Sequence, residues 1–237
     1  MKRVVLFDFG ETLVRYYRLP EFPAILTDCI EQAAAAVRRL GVPVPSDAVI
    51  AARTQVENFE AADSRVRPLE SRLAAIFGIS PGTLSAAQQA TVCRAFLEPI
   101  FALAMRYPDS LPTLESLRSR GFRIGVISNT PWGSPAEPWR EEVARHGIAS
   151  LCDRVAFCRD VGWRKPAPAV FQHMLEMLDC APNDCLFVGD SLKNDITGAR
   201  RMGIDAVLID RDGHARGSDH PAIVTLAELE ALLHANA

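Results

Sequence analysis

The pattern of apolar and polar positions changes near residue 105 and separates two kinds of segment. Before that point, apolar residues recur at helical spacing, and glycine or proline residues interrupt them. Pro99 is expected to kink or break the last of these helices. We therefore expect an all-helical block without strands, whose predicted helices are residues 24–40, 46–62, 69–77 and 83–105.

Elsewhere, short apolar runs alternate with predicted helices. The runs read as strands at residues 4–7, 122–127, 153–158, 185–189 and 205–209. The helices are predicted at residues 111–120, 137–146, 167–178, 195–202 and 226–235, and a polar surface loop at 213–220. Alternating strands and helices imply right-handed crossovers and a parallel sheet. The pattern predicts an α/β fold, a Rossmann-like core of residues 1–14 and 106–237, interrupted by a helical insert of residues 15–105.

The amino-acid composition narrows the classes of protein to which this sequence can belong. The chain has 237 residues, with 26 basic and 29 acidic side chains and a net charge of -3, which argues against a general nucleic-acid binder. No apolar run approaches the roughly 18 residues of a membrane span, and the first strand begins too early for a signal peptide. Six cysteines without a Cys-x-x-Cys pair favour free thiols over a zinc site. We expect a cytoplasmic protein without a membrane or nucleic-acid partner.

Polar residues follow four of the predicted strands. Asp8 ends the first strand, Ser128 the second and Asp190 the fourth, and Lys165 lies in the loop after the third. The carboxyl ends of parallel strands lie at one edge of the sheet, where open α/β folds bind ligands. Each residue alone also fits a helix cap or a solvated side chain. Four of them at one edge predict a functional site.

These residue types suit phosphoryl chemistry. An aspartate such as Asp8 can attack phosphorus and form an acyl phosphate, and a divalent cation can neutralise the developing charge. Asp8, Asp190 and the carbonyl of Gly10 are hard oxygen ligands of the kind Mg²⁺ prefers. Ser128 with the following amide, and Lys165, can bind phosphoryl oxygens. Asp195 either holds metal-bound water or stabilises the next helix, because its negative charge lies at the positive end of the helix dipole.

The four motifs resemble those of the haloacid dehalogenase superfamily of hydrolases. They are Asp8-Phe9-Gly10-Glu11-Thr12, Ile127-Ser128-Asn129, Lys165-Pro166 and Gly189-Asp190-Ser191-Leu192-Lys193-Asn194-Asp195. The helical insert resembles the cap that follows the first strand in many of its phosphatases. The resemblance implies Asp8 as nucleophile and Asp190 as metal ligand. With it, the expected catalytic residues are Asp8, Ser128 and Lys165, the phosphate-binding residues Thr12, Ser128, Asn129 and Lys165, and the metal ligands Asp8, Gly10, Asp190 and Asp195.

One position departs from the family. Its phosphatases usually carry a second aspartate, a general acid and base, two residues after the nucleophile, and this chain has Gly10 there. Such an acid contributes about 10²–10⁴ in rate. Glu11 could partly replace it, although a solvent-facing or cap-contacting role for Glu11 is slightly favoured.

Residues beside the motifs are candidates for substrate specificity. Arginine and aromatic side chains can bind a sugar, a base or a second anion, or the aromatic rings can instead pack the hinge between cap and core. The candidates are Glu11, Arg15, Tyr16, Tyr17 and Trp132.

The leading hypothesis is a Mg²⁺-dependent phosphatase of a small phosphorylated metabolite, acting as a monomer or homodimer. Gly10 raises a second possibility, metal-independent carbon–halogen hydrolysis by the same aspartate. A phosphomutase is another alternative, against which Gly10 argues, because the family's phosphomutases normally rely on the acid that Gly10 replaces. A non-catalytic phosphate-binding homologue is a further alternative, against which the retained Asp8, Lys165 and Asp190 argue.

Overall fold

A six-stranded parallel sheet forms the centre of the protein, in a computed structural model that describes residues 2–59, 62–213 and 220–235. The strand order is β5-β4-β1-β6-β7-β8. The strands are β1 (Val4–Phe7), β4 (Arg123–Ser128), β5 (Arg154–Phe157), β6 (Cys185–Gly189), β7 (Asp205–Ile209) and β8 (Ala222–Ile223). The predicted parallel α/β fold is therefore confirmed.

Strand β1 lies at the centre because its side chains are apolar on both faces. Phe7 is in register with Val126 of β4 and Val188 of β6. Val5 and Phe7 pack into one apolar cluster, and Val4 and Leu6 pack into another. All four are fully buried, as expected for a strand covered by helices on both sides.

The helices flank the sheet and also occupy the predicted insert. In chain order they are α1 (Phe22–Arg39), α2 (Asp47–Glu57), α3 (Leu69–Phe77), α4 (Ala86–Ala102), α5 (Ser110–Ser119), α6 (Ala136–Arg145), α7 (Cys158–Val161), α8 (Pro168–Leu178), α9 (Thr197–Arg201) and α10 (Leu229–Ala235). A π-helical turn at Leu192–Ile196 precedes α9. Helices α1 to α4 lie within the predicted insert of residues 15–105, and α1 packs against α4.

Two strands of two residues each, at the ends of the insert, were not predicted. Strands β2 (Val14–Arg15) and β3 (Met105–Arg106) pair antiparallel at the two ends of the insert, with Val14 opposite Arg106. A two-residue strand is too short to show an alternating pattern, so the expectation of a block without strands was wrong at its ends. This pair joins the linker that enters the insert to the linker that leaves it.

Other boundaries also differ from the prediction. Helix α2 ends at Glu57 rather than at residue 62. Helix α4 continues through Pro99 to Ala102, because Phe96 and Ile100 on its buried face keep it packed on both sides of the proline. Helix α7 and strand β8 were not expected. Most of the predicted surface loop at 213–220 lies outside the described residues.

Within the part of the chain that the structure describes, every helix is too short or too polar to cross a lipid bilayer.

Candidate active site

The strand order brings the sequence-distant candidates to one edge of the sheet. Asp8 directly follows β1, which lies between β4, ending at Ser128, and β6, followed by Asp190. Lys165 reaches the same place from the loop that follows α7, and Asp195 from the π-helical turn. These five residues come from four separate segments, so only the parallel sheet can bring them together.

The side chain of Lys165 links two of the carboxylates. Its Nζ donates to Oδ1 of Asp8 at 2.7 Å and to the carbonyl of Ile127 at 2.9 Å, and it lies 2.6 Å from Oδ1 of Asp195. Only 3% of the residue is exposed. Burial by itself lowers the pKa of Lys165, but the charges of Asp195 and Asp8 outweigh it and raise the pKa above its ordinary value. Lys165 therefore stays positively charged.

The side chain of Asn129 holds the backbone of Lys165. Asn129 Nδ2 donates to the Lys165 carbonyl at 3.1 Å, and the Lys165 amide donates to Asn129 Oδ1 at 2.8 Å. This paired contact fixes the loop that carries the lysine. The Asn129 side chain, which was predicted to bind phosphate, thus positions Lys165. Ser128, the preceding residue, is almost fully buried.

Three carboxylates converge beside this lysine. Oxygen atoms of Asp8, Asp190 and Asp195 lie within 4.8 Å of one another. Asp190 is exposed as a residue, but its carboxyl group is largely removed from solvent. This desolvation, which is the largest cause, and then the charges of Asp8 and Asp195 raise the pKa of Asp190 well above the usual range. Burial, which Lys165 partly opposes, raises the pKa of Asp195 to about 6. Three hard oxygen donors with one nearby ammonium group fit a divalent cation such as Mg²⁺.

Gly189 makes room for Asp195. A Cβ atom at Gly189 would lie 2.5 Å from the Asp195 carboxyl carbon, which is closer than atoms can pack. Oδ2 of Asp195 also accepts a hydrogen bond from the Ser191 amide at 3.0 Å. Asp195 was expected either to hold metal-bound water or to favour the helix dipole, and its ion pair with Lys165 adds a direct structural role.

The loop that follows Asp8 has an open position at Gly10. The nearest atom to a Cβ placed there is Tyr16 Cδ2, at 3.9 Å, so an added Cβ meets no clash. Thr12, also predicted to bind phosphate, is fully buried, and its hydroxyl has no hydrogen-bond partner among the described residues. The Thr12 carbonyl accepts a hydrogen bond from Arg211 Nη2 at 2.7 Å.

The carboxylate of Glu11 contacts both linkers of the insert. Its Oε1 accepts from the amides of Tyr16 at 2.7 Å and Tyr17 at 3.0 Å. Its Oε2 accepts from the Tyr107 hydroxyl at 3.2 Å. Burial, partly opposed by these hydrogen bonds, raises the pKa of Glu11. These contacts match the expected cap-contacting role more closely than that of a free acid.

The aromatic specificity candidates mostly pack inside the protein. The Tyr16 ring lies 5.3 Å from the Trp139 ring, and the Trp132 ring lies 5.7 Å from that of Phe96 in α4. Both Tyr16 and Trp132 are buried, which favours the alternative of packing between insert and core. Tyr17, half-buried, stacks on Phe22 at 5.0 Å, whereas the Arg15 side chain is exposed.

Other residues around the site carried no motif in the sequence. Arg211, just after β7, donates to Oδ2 of Asp109 at 2.6 Å and lies 3.9 Å from the centre of the Tyr107 ring. In the insert, Arg65 forms an isolated antiparallel bridge with Trp163, two residues before Lys165. The only hint in the sequence was that Arg211 follows a predicted strand, as the motif residues do.

The comparisons with known proteins agree with this arrangement. Residues 2–203 match the profile of haloacid dehalogenase-like hydrolases. A glyceraldehyde 3-phosphate phosphatase of Methanothermobacter thermautotrophicus is 35% identical over 120 residues, 51% of this chain and 51% of the relative. The chain thus spans about half the length of the curated relatives it matches.

Two solved structures are similar along the whole chain. A HAD phosphatase from Thermococcus onnurineus has 28% identity and a TM-score of 0.68, with 98% of each chain covered. A 2-haloacid dehalogenase from Pseudomonas syringae pv. Tomato DC3000 has 25% identity and a TM-score of 0.68, with 100% of each chain covered. The expected family is therefore confirmed: this chain belongs to the haloacid dehalogenase-like hydrolases.

Proposed function

We propose that the protein is a Mg²⁺-dependent phosphatase of small phosphorylated compounds, with Asp8 as the nucleophile. The observation that carries the proposal is the cluster of Asp8, Asp190 and Asp195 around the buried ammonium group of Lys165. Curated relatives named as phosphatases support the same reaction class. We further propose a cytoplasmic monomer or homodimer that needs neither a membrane nor a nucleic-acid partner.

Asp8 is oriented for attack. Lys165 holds its Oδ1, so that Oδ2 is the oxygen available to attack phosphorus. As the Oδ2–P bond forms, the bond to the leaving oxygen breaks, and that oxygen takes a proton from solvent because Gly10 has no acid to offer. Water then attacks the phosphorus of the aspartyl phosphate and loses a proton to solvent. The Oδ2–P bond breaks, which releases inorganic phosphate and free Asp8.

Lys165 and Ser128 stabilise the phosphoryl group. The ammonium group of Lys165 pairs with Asp8, and Ser128 ends β4 at the same edge of the sheet, where phosphoryl oxygens would acquire negative charge. Asp8, Asp190, Asp195 and the Gly10 carbonyl would hold Mg²⁺, which would offset the charge of the carboxylates and of the substrate. Asn129 keeps Lys165 in place for this role.

Metal removal tests the proposal directly. After treatment with EDTA, hydrolysis of 4-nitrophenyl phosphate should stop, and added Mg²⁺ should restore it. Asp190→Asn should raise the Mg²⁺ concentration for half-maximal rate by at least about tenfold. Glu141→Gln, on the exposed surface and paired with Arg94, is the matched charge control and should match the wild type. Full activity in EDTA would contradict the proposal.

Carbon–halogen hydrolysis is the second candidate. Gly10 in place of the acid and the similarity to a 2-haloacid dehalogenase favour it. Asp190 counts against it, because three clustered carboxylates repel one another unless a cation neutralises them. Halide release from 2-chloropropionate in the presence of EDTA would support this second activity, and phosphate binding without turnover would support a non-catalytic homologue.

A further inference from the structure

Glu11 adopts a backbone conformation that side chains normally avoid. Its φ is 56°, in the left-handed region where the Cβ atom crowds the backbone and glycine is favoured. A non-glycine residue persists in that conformation when the surrounding structure holds it there, and such positions cluster at functional sites. The side chain of Glu11 must therefore gain enough from its contacts to offset this strain.

Those contacts join three segments. Glu11 is three residues after Asp8, in the nucleophile loop. Tyr16 and Tyr17 follow β2, on the linker that enters the insert, and Tyr107 follows β3, on the linker that leaves it. A single half-buried carboxylate therefore accepts three hydrogen bonds from both linkers at the point where they meet the catalytic edge.

The same contacts leave Glu11 poorly placed to act as an acid. Its Oε1 already accepts from two amides and its Oε2 from a phenol, so both oxygens serve as acceptors. Tyr107 is in turn held by the Arg211 guanidinium group over its ring, and Arg211 also binds the Thr12 carbonyl. The network thus returns to the nucleophile loop through a second set of contacts.

We propose that Glu11 is a positioning residue that ties both linkers of the insert to the loop carrying Asp8. It acts as a hydrogen-bond acceptor, and proton transfer is no part of its role. This inference rests on the proposed function for its effect on rate. Its effect on the linkers can be measured without any substrate.

Substitution of Glu11 by glutamine and by glycine separates hydrogen-bond acceptance from proton transfer. In Glu11→Gln, the amide oxygen can keep both backbone hydrogen bonds, and the amide nitrogen can donate to the Tyr107 oxygen, so the geometry survives while the ionisable group is lost. Glu11→Gly removes all three contacts and relieves the strained backbone. Asp179→Gly, at the end of α8 with a φ of 44°, is the matched control for strain relief away from the site.

Two measurements test the inference. Hydrogen exchange should be faster by about tenfold or more at the Tyr16 and Tyr17 amides of Glu11→Gly, but not of Glu11→Gln or Asp179→Gly, because each lost hydrogen bond is worth about a factor of ten. kcat of Glu11→Gly should fall by about tenfold or more, equally for 4-nitrophenyl and alkyl phosphates, while Glu11→Gln stays within about threefold of the wild type.

Two outcomes would overturn the inference. Loss of kcat in Glu11→Gln equal to that in Glu11→Gly would mean that the ionisable group itself is required. Unchanged amide exchange in Glu11→Gly would mean that the carboxylate does not hold the linkers. If the wild type lacks phosphatase activity, the proposed function fails, but the exchange measurement still decides whether Glu11 holds the linkers.

Discussion

The ammonium group of Lys165 lies 2.7 Å from Oδ1 of Asp8, in an ion pair between residues 157 positions apart in the sequence. The pair is almost completely withdrawn from solvent, and Asp195 lies on the other side of the ammonium group at 2.6 Å. A buried charge depends on its partners, so the position of each of the three residues depends on the other two. This coupling leads to predictions for the nucleophile and for its support.

Asp8→Asn should remove turnover while the protein remains folded. The amide is nearly isosteric but a far weaker nucleophile, so the rate on 4-nitrophenyl phosphate should fall by at least about a thousandfold. Lys165 keeps Asp195 and the Ile127 carbonyl, so the free energy of unfolding should fall by no more than about 3 kcal/mol. Denaturant unfolding checks the second value, and a variant with near-normal rate would show that Asp8 is not the nucleophile.

Gly189→Ala should damage both stability and rate, although Gly189 bears no side chain. The new Cβ would meet the Asp195 carboxyl group at 2.5 Å and push it away from Lys165. We expect a loss of about 1–3 kcal/mol in the free energy of unfolding, and a lower kcat. Gly10→Ala is the stability control, because its Cβ has no neighbour nearer than 3.9 Å and should change that energy by less than about 1 kcal/mol. Equal stability of the two variants would contradict this account of Gly189.

Gly10 should make the rate depend on the leaving group. Without an acid at this position, nitrophenolate leaves more readily than a sugar alkoxide, so aryl and acyl phosphates should be cleaved faster than alkyl phosphates of similar size. Gly10→Asp places its Cβ where no atom lies nearer than 3.9 Å, and its carboxyl group should narrow the difference in kcat/KM by about 10²-fold. A wild-type enzyme without any leaving-group preference would show that another group supplies the proton.

His146 should make the protein less stable in mild acid. Burial and the charge of Arg145 lower its pKa, and Arg106 adds to this, while the carboxylate of Glu142 opposes it. Unfolded histidine has a pKa of about 6.5, so below that pH the unfolded state binds the proton more readily and the free energy of unfolding falls.

The measurement for His146 is a comparison of slopes. Between about pH 7.5 and about pH 5.5, the free energy of unfolding should fall more steeply for the wild type than for His146→Gln, by up to about 1.4 kcal/mol per pH unit. Titrating groups remote from His146 contribute equally to both proteins and cancel. Identical slopes would show that His146 titrates alike in the folded and unfolded chains.

Much of the core could be predicted because its signals are local. The sequence pattern predicted β6 and β7 with the bounds that the structure shows. A buried parallel strand is a short apolar run, and a polar residue or a glycine marks its end. The strand-end position of Asp8 and Asp190 followed from the same runs. The family resemblance depended on the order of these short motifs, and the profile match along most of the chain confirms it. The division into core and cap, and the individual roles of the site residues, stay predictions.

The sequence by itself determined the alternation of strands and helices, and thus which residues end strands. The periodicity of buried positions is a pattern among neighbouring residues, so it can be recognised locally. Only the tertiary structure decided which distant residues contact each other. Glu11 accepts a hydrogen bond from Tyr107, 96 positions away, and Asn129 accepts one from Lys165, 36 positions away. It also decided that Trp132 and Tyr16 lie in the interior. Hydrogen bonds and ring contacts depend on side-chain directions after packing, and no local pattern encodes which distant segment will supply the partner.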